Sequence, residues 1–161
     1  MLRILFLLTI INSVAYAQKD SVLIYRPEAD AKMEIGESVK KAKAEKKHVM
    51  LMIGGNWCRW CKMFDAFSHS NAKVDSTMKA DFIFLHVNYS KENKNLEVLK
   101  SLSYPQRFGF PVFVVLDDEG KVVHTQNSAY LEEKEGYSEE KVVDFLHQWR
   151  KDAFNPEYYL K

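Results

Sequence analysis

The chain contains few of the residues that build specialised scaffolds. It has two cysteines, six glycines and four prolines in 161 residues. Two cysteines are too few for a scaffold of several disulfides or for a four-cysteine zinc site. Neither sign of charge dominates, with 23 Lys and Arg against 22 Asp and Glu, so no basic surplus favours nucleic-acid binding. Without internal repeats or a Pro/Gly/Ser-rich linker, the composition is that of one ordinary globular domain.

A hydrophobic run long enough to cross a membrane is also missing. The apolar stretch from Ile4 to Ile11 follows Arg3 and covers eight residues, whereas a membrane span needs about 20. It precedes Ala15-Tyr16-Ala17, a pattern typical of signal-peptidase cleavage. We therefore predict a signal peptide over residues 1–17, with a buried strand or a short membrane anchor as the alternative.

The remaining residues, 18–161, are expected to form one soluble, monomeric, exported domain. Such a protein would be periplasmic in a bacterium, and otherwise secreted or held in the lumen of the secretory pathway. In any of these compartments disulfides can form.

Hydrophobic periodicity predicts strands and helices that alternate along this domain. Strands are expected at 21–25, 48–53, 82–87, 111–116 and 121–125, and helices at 28–47, from 58, at 71–80, at 93–102 and from 138. The turn sequence Asp117-Asp118-Glu119-Gly120 predicts a hairpin between the last two strands. Parallel strands with crossover helices, closed by an antiparallel hairpin, indicate an α/β sandwich.

Cys58 and Cys61 form a Cys-x-x-Cys pair where a buried strand passes into a helix. At a helix N-terminus, unpaired N–H groups and the helix dipole would stabilise a Cys58 thiolate and make it the attacking sulfur. Arg59 and Lys62 would favour the thiolate further. Cys61, one turn later, could form a disulfide with Cys58 or resolve a mixed disulfide. The pattern therefore favours a redox pair.

Other interpretations of the two cysteines stay open. A structural disulfide that closes so short a loop would stabilise the fold little. A metal site would need further ligands, and the five histidines show no paired spacing; His69 is the nearest in sequence to Cys61. Two unrelated buried cysteines are a third alternative. We expect no metal, and no cofactor other than the Cys58–Cys61 disulfide itself.

Two segments together resemble the thioredoxin family. Residues 55–62 (GNWCRWCK) follow a buried strand, as does the family's WCxxCK motif, and residues 108–116 (FGFPVFVVL) look like its proline segment before the terminal hairpin. The resemblance extends over roughly residues 28–150. It implies a thioredoxin fold, an α/β structure with a central mixed β-sheet flanked by helices. Here we expect an N-terminal extension and an extra helical segment after the active-site helix.

The resemblance also implies roles for individual residues. Cys58 would be the nucleophile and Cys61 the resolving cysteine. The Phe110–Pro111 peptide bond would be cis, with the Phe110 backbone turned outward to pair with an extended substrate strand. Trp57 would belong to the same substrate-binding surface. Without the cysteine motif, an ordinary trans proline that opens a strand would be the simpler interpretation of Pro111.

The chain departs from the family pattern behind the cysteines. Cytosolic thioredoxins carry a buried acid paired with a buried lysine there, whereas the matching positions are Met52 and, approximately, His86. We hypothesise that His86 takes over proton transfer for Cys61, because a histidine titrates near neutral pH. A core histidine with its hydrogen bonds satisfied is the alternative.

The function implied is that of an exported thiol–disulfide oxidoreductase acting on protein thiols and disulfides, with reductase favoured over oxidase or isomerase. Arg59 would make the cysteine pair more oxidising. Trp60, which also lies between the cysteines, would tune the redox potential as well, but the sequence does not give the sign of its effect. A separate protein must recycle the pair, and a membrane thiol transporter is the natural donor for a reductase. The alternative is a non-catalytic peptide-binding or chaperone-like module with a static disulfide and exposed Trp57, Trp60 and Phe110.

Overall fold

The computed structural model describes residues 23–160. The helices in this part are α1 (Ala31–Glu45), α2 (Arg59–Ser70), α3 (Ala72–Asp81), α4 (Leu96–Ser101) and α5 (Glu139–Trp149). The strands are β1 (His48–Gly54), β2 (Phe82–Asn88), β3 (Val112–Leu116), β4 (Val122–Asn127), β5 (Glu132–Glu133) and β6 (Gly136–Tyr137). From α1 onward the predicted elements occur in the predicted order, and the small β5–β6 hairpin and four short 3-10 helices of the described part were not predicted.

The four longer strands form one mixed sheet in the order β2-β1-β3-β4. β1 is parallel to β2 and antiparallel to β3, and β3 is antiparallel to β4. Every residue of the central strand β1 is buried. This burial explains its unbroken apolar sequence, because a strand covered on both faces has no solvent side to carry polar residues.

Alternate side chains of β1 enter two apolar layers. Val49, Leu51 and Ile53 pack toward the layer that contains residues of α1 and α4. Met50 and Met52 pack toward α2, α3 and α5, in the cluster that also holds both cysteines. The predicted thioredoxin-like arrangement of a mixed sheet between helical layers is confirmed.

The extra helical segment after α2 is present as α3. Asn71 separates the two helices, because its side-chain oxygen accepts hydrogen bonds from the N–H groups of Lys73 and Val74 and so caps α3. Val74 and Met78 are buried in the same layer as the cysteines. α3 therefore enlarges the apolar layer that supports α2.

The predicted strand at 21–25 is wrong for the part that the structure describes. Residues 23–26 do not join the sheet, because the Asn56 side chain bonds their main chain instead. Its oxygen accepts from Ile24 N (3.0 Å) and Tyr25 N (3.1 Å), and its nitrogen donates to Tyr25 O (2.8 Å). One side chain thus satisfies main-chain groups that would otherwise need a neighbouring strand.

Two helices begin later than predicted. α1 begins after Asp30, whose carboxylate accepts from Met33 N at 3.0 Å. α4 begins after Asn95, which adopts a left-handed conformation. The side chains of Asn93 and Asn95 bond the main chain of Pro27 and Asn88, so these residues form a loop rather than a helical turn.

The predicted signal peptide, residues 1–17, lies outside the described residues. Between residues 23 and 160, no helix is both long enough and apolar enough to span a membrane.

Candidate active site

Cys58 occupies the N-cap position of α2. Its backbone is extended (φ −83°, ψ 108°), and its Sγ accepts a hydrogen bond from the Cys61 N–H at 3.1 Å. The first N–H groups of a helix have no partner within the helix, so a capping atom fills that vacancy. Here a sulfur takes the place of the usual oxygen. The same N–H would face a thiolate once the disulfide is reduced.

Cys58 and Cys61 are joined by a disulfide, with Sγ–Sγ 2.08 Å and Cα–Cα 5.3 Å. The predicted pairing is confirmed. Cys58 keeps 4% of its surface exposed, whereas Cys61 has none. Cys58 is therefore the more accessible of the two cysteines, although both are buried.

Three aromatic side chains form a surface beside the disulfide, which we call the aromatic surface (Trp57, Tyr89 and Phe110). Trp57 is 58% exposed, and its Nε1 donates to Tyr89 O at 2.8 Å. The Phe110 ring lies edge-on to Trp57 (5.3 Å between centroids) and stacks on Tyr89 (4.8 Å). A Cβ at Gly55 would overlap Trp57 Nε1 and lie 2.6 Å from Tyr89 O, so only glycine fits beneath the indole.

The Phe110–Pro111 peptide bond is cis, as predicted. Pro111 directly precedes Val112, which pairs with Ile53 at the end of β1. The proline is therefore brought to the same edge of the sheet as Gly54 and the cysteine loop. The two motifs that are 50 residues apart in sequence meet there.

Arg59 and Trp60, between the cysteines, and Lys62, after them, lie in different environments. Arg59 is exposed and Lys62 half-buried, both in the first turn of α2. The half-buried Trp60 packs edge-on against Tyr137 (5.7 Å), whose hydroxyl donates to Trp60 O at 3.2 Å. Trp60 therefore lies against Tyr137 rather than with Trp57 and Phe110 in the aromatic surface.

His86 lies behind the cysteine loop, directly opposite Met52 in the β1–β2 register, as the family comparison predicted. Its Nε2 is 3.0 Å from Asp65 Oδ1. Burial lowers the pKa of His86, and the neighbouring Asp65 only partly opposes that shift. Sequence reasoning missed Asp65, although its position four residues after Cys61 places it on the same face of α2.

Tyr25 is an unexpected neighbour of Cys61. Its side chain is 1% exposed, and its hydroxyl finds no hydrogen-bond partner among residues 23–160. A Cβ placed on Gly54 would overlap Cys61 Sγ and lie 2.7 Å from Tyr25 Oη, so the sulfur and the hydroxyl border the same small space. The ring lies edge-on to His86 at 5.2 Å.

His69, the histidine considered as a metal ligand, lies beside two aspartates. His69 lies 3.7 Å from Asp65 and 3.7 Å from Asp75. In the described part of the chain, no group of three or more His, Cys, Asp or Glu side chains could hold a metal ion.

Comparison with protein families agrees with this geometry. A family model described as thioredoxin-like matches residues 30–118, more than half of the chain. The chain belongs to the thioredoxin-like family. The matched region of this thioredoxin-like chain includes both the Cys58–Cys61 disulfide and the cis Phe110–Pro111 bond. No curated protein sequence matches the chain significantly.

Several solved structures share the thioredoxin-like fold. A disulphide isomerase from Xylella fastidiosa Temecula1 is 27% identical, with 79% of this chain and 96% of that chain covered and a TM-score of 0.69. The oxidised C-terminal domain of DsbD from Neisseria meningitidis is 20% identical (76% and 97% covered, TM-score 0.56). A thioredoxin from Thermus thermophilus is also 20% identical (70% and 81% covered, TM-score 0.51). The last two show a shared fold alone.

Proposed function

We propose that this protein is a thiol–disulfide oxidoreductase that exchanges disulfides with protein substrates, working mainly as a reductase. The observation that carries the proposal is the Cys58–Cys61 disulfide at the start of α2, where the Cys61 N–H already bonds Cys58 Sγ. Hydrogen-bond donation from a helix N-terminus stabilises a thiolate, which is the form of cysteine that attacks disulfides.

The reaction proceeds in two exchanges. The Cys58 thiolate attacks one sulfur of a substrate disulfide, a Cys58–substrate bond forms, and the other substrate sulfur leaves as a thiolate. Cys61 then loses its proton to solvent and attacks Cys58 Sγ, which releases the second substrate sulfur. The substrate gains two electrons and, from solvent, two protons, while the cysteine pair becomes a disulfide. The reverse sequence would oxidise a substrate dithiol.

The aromatic surface supplies a binding site next to the reacting sulfur. An exposed Trp57 ring, held by its bond to Tyr89, and the adjoining Phe110 can cover the apolar side chains of an extended peptide. The main chain of Phe110 can pair with that peptide as an edge strand does. Pro111 then holds Phe110 at this edge, while Arg59 and Lys62 add positive charge near Cys58.

Export and recycling form the second part of the proposal. Both cysteines of the chain are in one pair, so a separate protein must restore it after each turnover. The similarity to a chain named as a disulphide isomerase supports a role in disulfide exchange, and the signal-peptide pattern before residue 18 supports export. We place the mature monomer in the periplasm or another oxidising compartment after removal of residues 1–17, with a membrane thiol transporter as its electron donor.

His86 is proposed to assist proton transfer for Cys61. Its lowered pKa keeps it neutral at pH 7, and its Nε2 is close to Asp65. The Tyr25 ring lies edge-on to the imidazole, so a proton would pass between Cys61 and His86 by way of solvent.

Trapping of mixed disulfides tests the proposed function. A Cys61→Ala variant keeps the nucleophile and lacks the resolving thiol, so covalent adducts with substrate proteins should accumulate on Cys58. Cys58→Ala is the matched control and should accumulate none. Adduct formation with neither variant, together with full biological activity of Cys58→Ala, would instead support a peptide-binding module with a static disulfide.

A further inference from the structure

The inference concerns the buried hydroxyl of Tyr25 and rests on the proposed function. A tyrosine hydroxyl shielded from water ordinarily has a hydrogen-bond partner, because a buried donor without one has lost its bonds to water and gained nothing in return. Tyr25 Oη has none within residues 23–160 while Cys58 and Cys61 form a disulfide. Two features of the neighbouring loop nevertheless hold the Tyr25 hydroxyl in this position.

The first constraint on Tyr25 is Asn56, which belongs to the loop that leads to Cys58. The Asn56 side chain bonds both Tyr25 N and Tyr25 O, so the backbone of Tyr25 is tied to the active-site loop. The second constraint is the absence of a side chain at Gly54. At the position that a Gly54 Cβ would take, the two nearest residues are Cys61, through its Sγ, and Tyr25, through its hydroxyl.

Tyr25 acts as a donor in this setting. Burial, then Asp65 and Tyr137, raises the pKa of Tyr25 well above its usual value, so the hydroxyl keeps its proton throughout the working range of pH. The neighbouring His86 faces the ring rather than competing for the hydroxyl. Cys61 Sγ lies beside the hydroxyl, since both atoms are nearest neighbours of the position that a Gly54 Cβ would take, and a thiolate accepts a hydrogen bond far better than a disulfide sulfur does.

We propose that the Tyr25 hydroxyl donates a hydrogen bond to Cys61 Sγ when the disulfide opens, and thereby stabilises the reduced pair relative to the disulfide. Tyr25 is a positioning residue here and exchanges no electrons. When a thiolate attacks Cys58 Sγ, the disulfide breaks and Cys61 leaves as a thiolate. On full reduction Cys61 takes a proton from solvent and returns it to solvent before it attacks Cys58 again, while Tyr25 keeps its own proton. The N-terminal segment would thus set the redox potential from behind the cysteines.

Tyr25→Phe removes this donor and keeps the ring. In graded glutathione buffers, we expect its equilibrium constant to shift about tenfold toward the disulfide, which corresponds to a potential about 30 mV more negative. Tyr137→Phe is the matched control. It removes another buried hydroxyl, one already bonded to Trp60 O, and should leave the equilibrium close to that of the unmodified protein.

Stability measurements separate this effect from a merely structural one. In the oxidised form Tyr25→Phe removes an unpaired polar group, so its urea midpoint should equal or exceed that of the unmodified protein. In the reduced form the same variant should have a lower midpoint. Equal changes in both forms would mean that the hydroxyl acts on the fold alone, and would overturn the proposal.

A measurement on the unmodified protein covers the case in which the variant fails to fold. On full reduction with excess dithiothreitol, the NMR shift of the Tyr25 ring carbon that bears the hydroxyl should move, while that of Tyr137 stays in place. An unmoved Tyr25 signal refutes the hydrogen bond. A pair that exchanges with glutathione at the same potential with and without the Tyr25 hydroxyl defeats this inference alone, whereas a pair that never exchanges defeats the proposed function.

Discussion

The attachment of the N-terminal segment to the active-site loop can be broken by one substitution, Asn56→Ala. The Asn56 side chain makes three hydrogen bonds with the main chain of Ile24 and Tyr25, at 2.8–3.1 Å. Each such bond contributes a net stabilisation of about 1 kcal/mol. We therefore expect the variant to lose about 3 kcal/mol of unfolding free energy. This loss would lower the midpoint of thermal unfolding by about 10 °C.

The assay is urea unfolding of the oxidised protein, followed by circular dichroism. Asn155→Ala is a suitable control, because Asn155 caps only an exposed short turn near the C-terminus through one bond to Glu157 N. We expect that control to lose about 0.5 kcal/mol. A loss below about 1 kcal/mol for Asn56→Ala would refute the reasoning, since it would mean that residues 23–26 are not held by this side chain.

The redox equilibrium of Asn56→Ala is a second measurement, and a loss of stability alone does not predict its outcome. Once Asn56 no longer fixes Tyr25, the hydroxyl should leave its place beside Cys61. The glutathione equilibrium should then move in the same direction as for Tyr25→Phe. A destabilised Asn56→Ala with an unchanged equilibrium would separate the anchoring of the segment from any effect on the disulfide.

Three further predictions follow from the site. Gly54→Ala should lower the unfolding free energy, measured in urea, by about 1–3 kcal/mol, because its Cβ would overlap Cys61 Sγ. The control is Gly36→Ala in α1, where a Cβ meets no other atom; it should raise the unfolding free energy by up to about 1 kcal/mol. Trp57→Ala should raise the KM for peptide disulfides about tenfold in a thiol-exchange assay. The redox potential of the Cys58–Cys61 pair, measured against glutathione, should stay unchanged. Because the pKa of His86 lies below its unfolded value of about 6.5, the unfolding free energy should rise as pH increases toward 6.5, and His86→Gln should lose that rise.

Each of these has a plain contrary result. A Gly54→Ala protein as stable as the unmodified one would mean that the space beside Cys61 is larger than described. An unchanged KM for Trp57→Ala would remove the indole from the substrate-binding surface. For His86, the sign follows from proton counts. Between the two pKa values the unfolded chain binds more protons than the folded one, so a stability that falls with rising pH there would contradict the lowered pKa.

Local motifs made much of the fold and site predictable. The Cys58–Cys61 pairing followed from a short motif, and the cis bond before Pro111 followed from the resemblance of two segments to the thioredoxin family. The opposition of Met52 and His86 followed from counting along two strands of known family register. These features depend on residues close in sequence or on one strand pairing.

The parts that were missed depend on contacts between distant segments. The sequence predicts a strand at Tyr25, because its apolar neighbours give no sign that the Asn56 side chain replaces the partner strand. Tyr89 joins the aromatic surface only because the end of β2 lies beside the cysteine loop. Asp65 was the easiest of these residues to predict, because its helical spacing from Cys61 alone could have indicated it.

The redox equilibrium of Cys58 and Cys61 tests the central claim most directly. The purified protein would be incubated in graded glutathione buffers, and its free thiols counted by alkylation and mass. The proposed reductase predicts a reversible two-electron equilibrium, with a potential nearer the thioredoxin value of about −270 mV than the strongly oxidising value of about −120 mV. A pair that remained oxidised in every buffer would contradict the proposal and indicate a static disulfide.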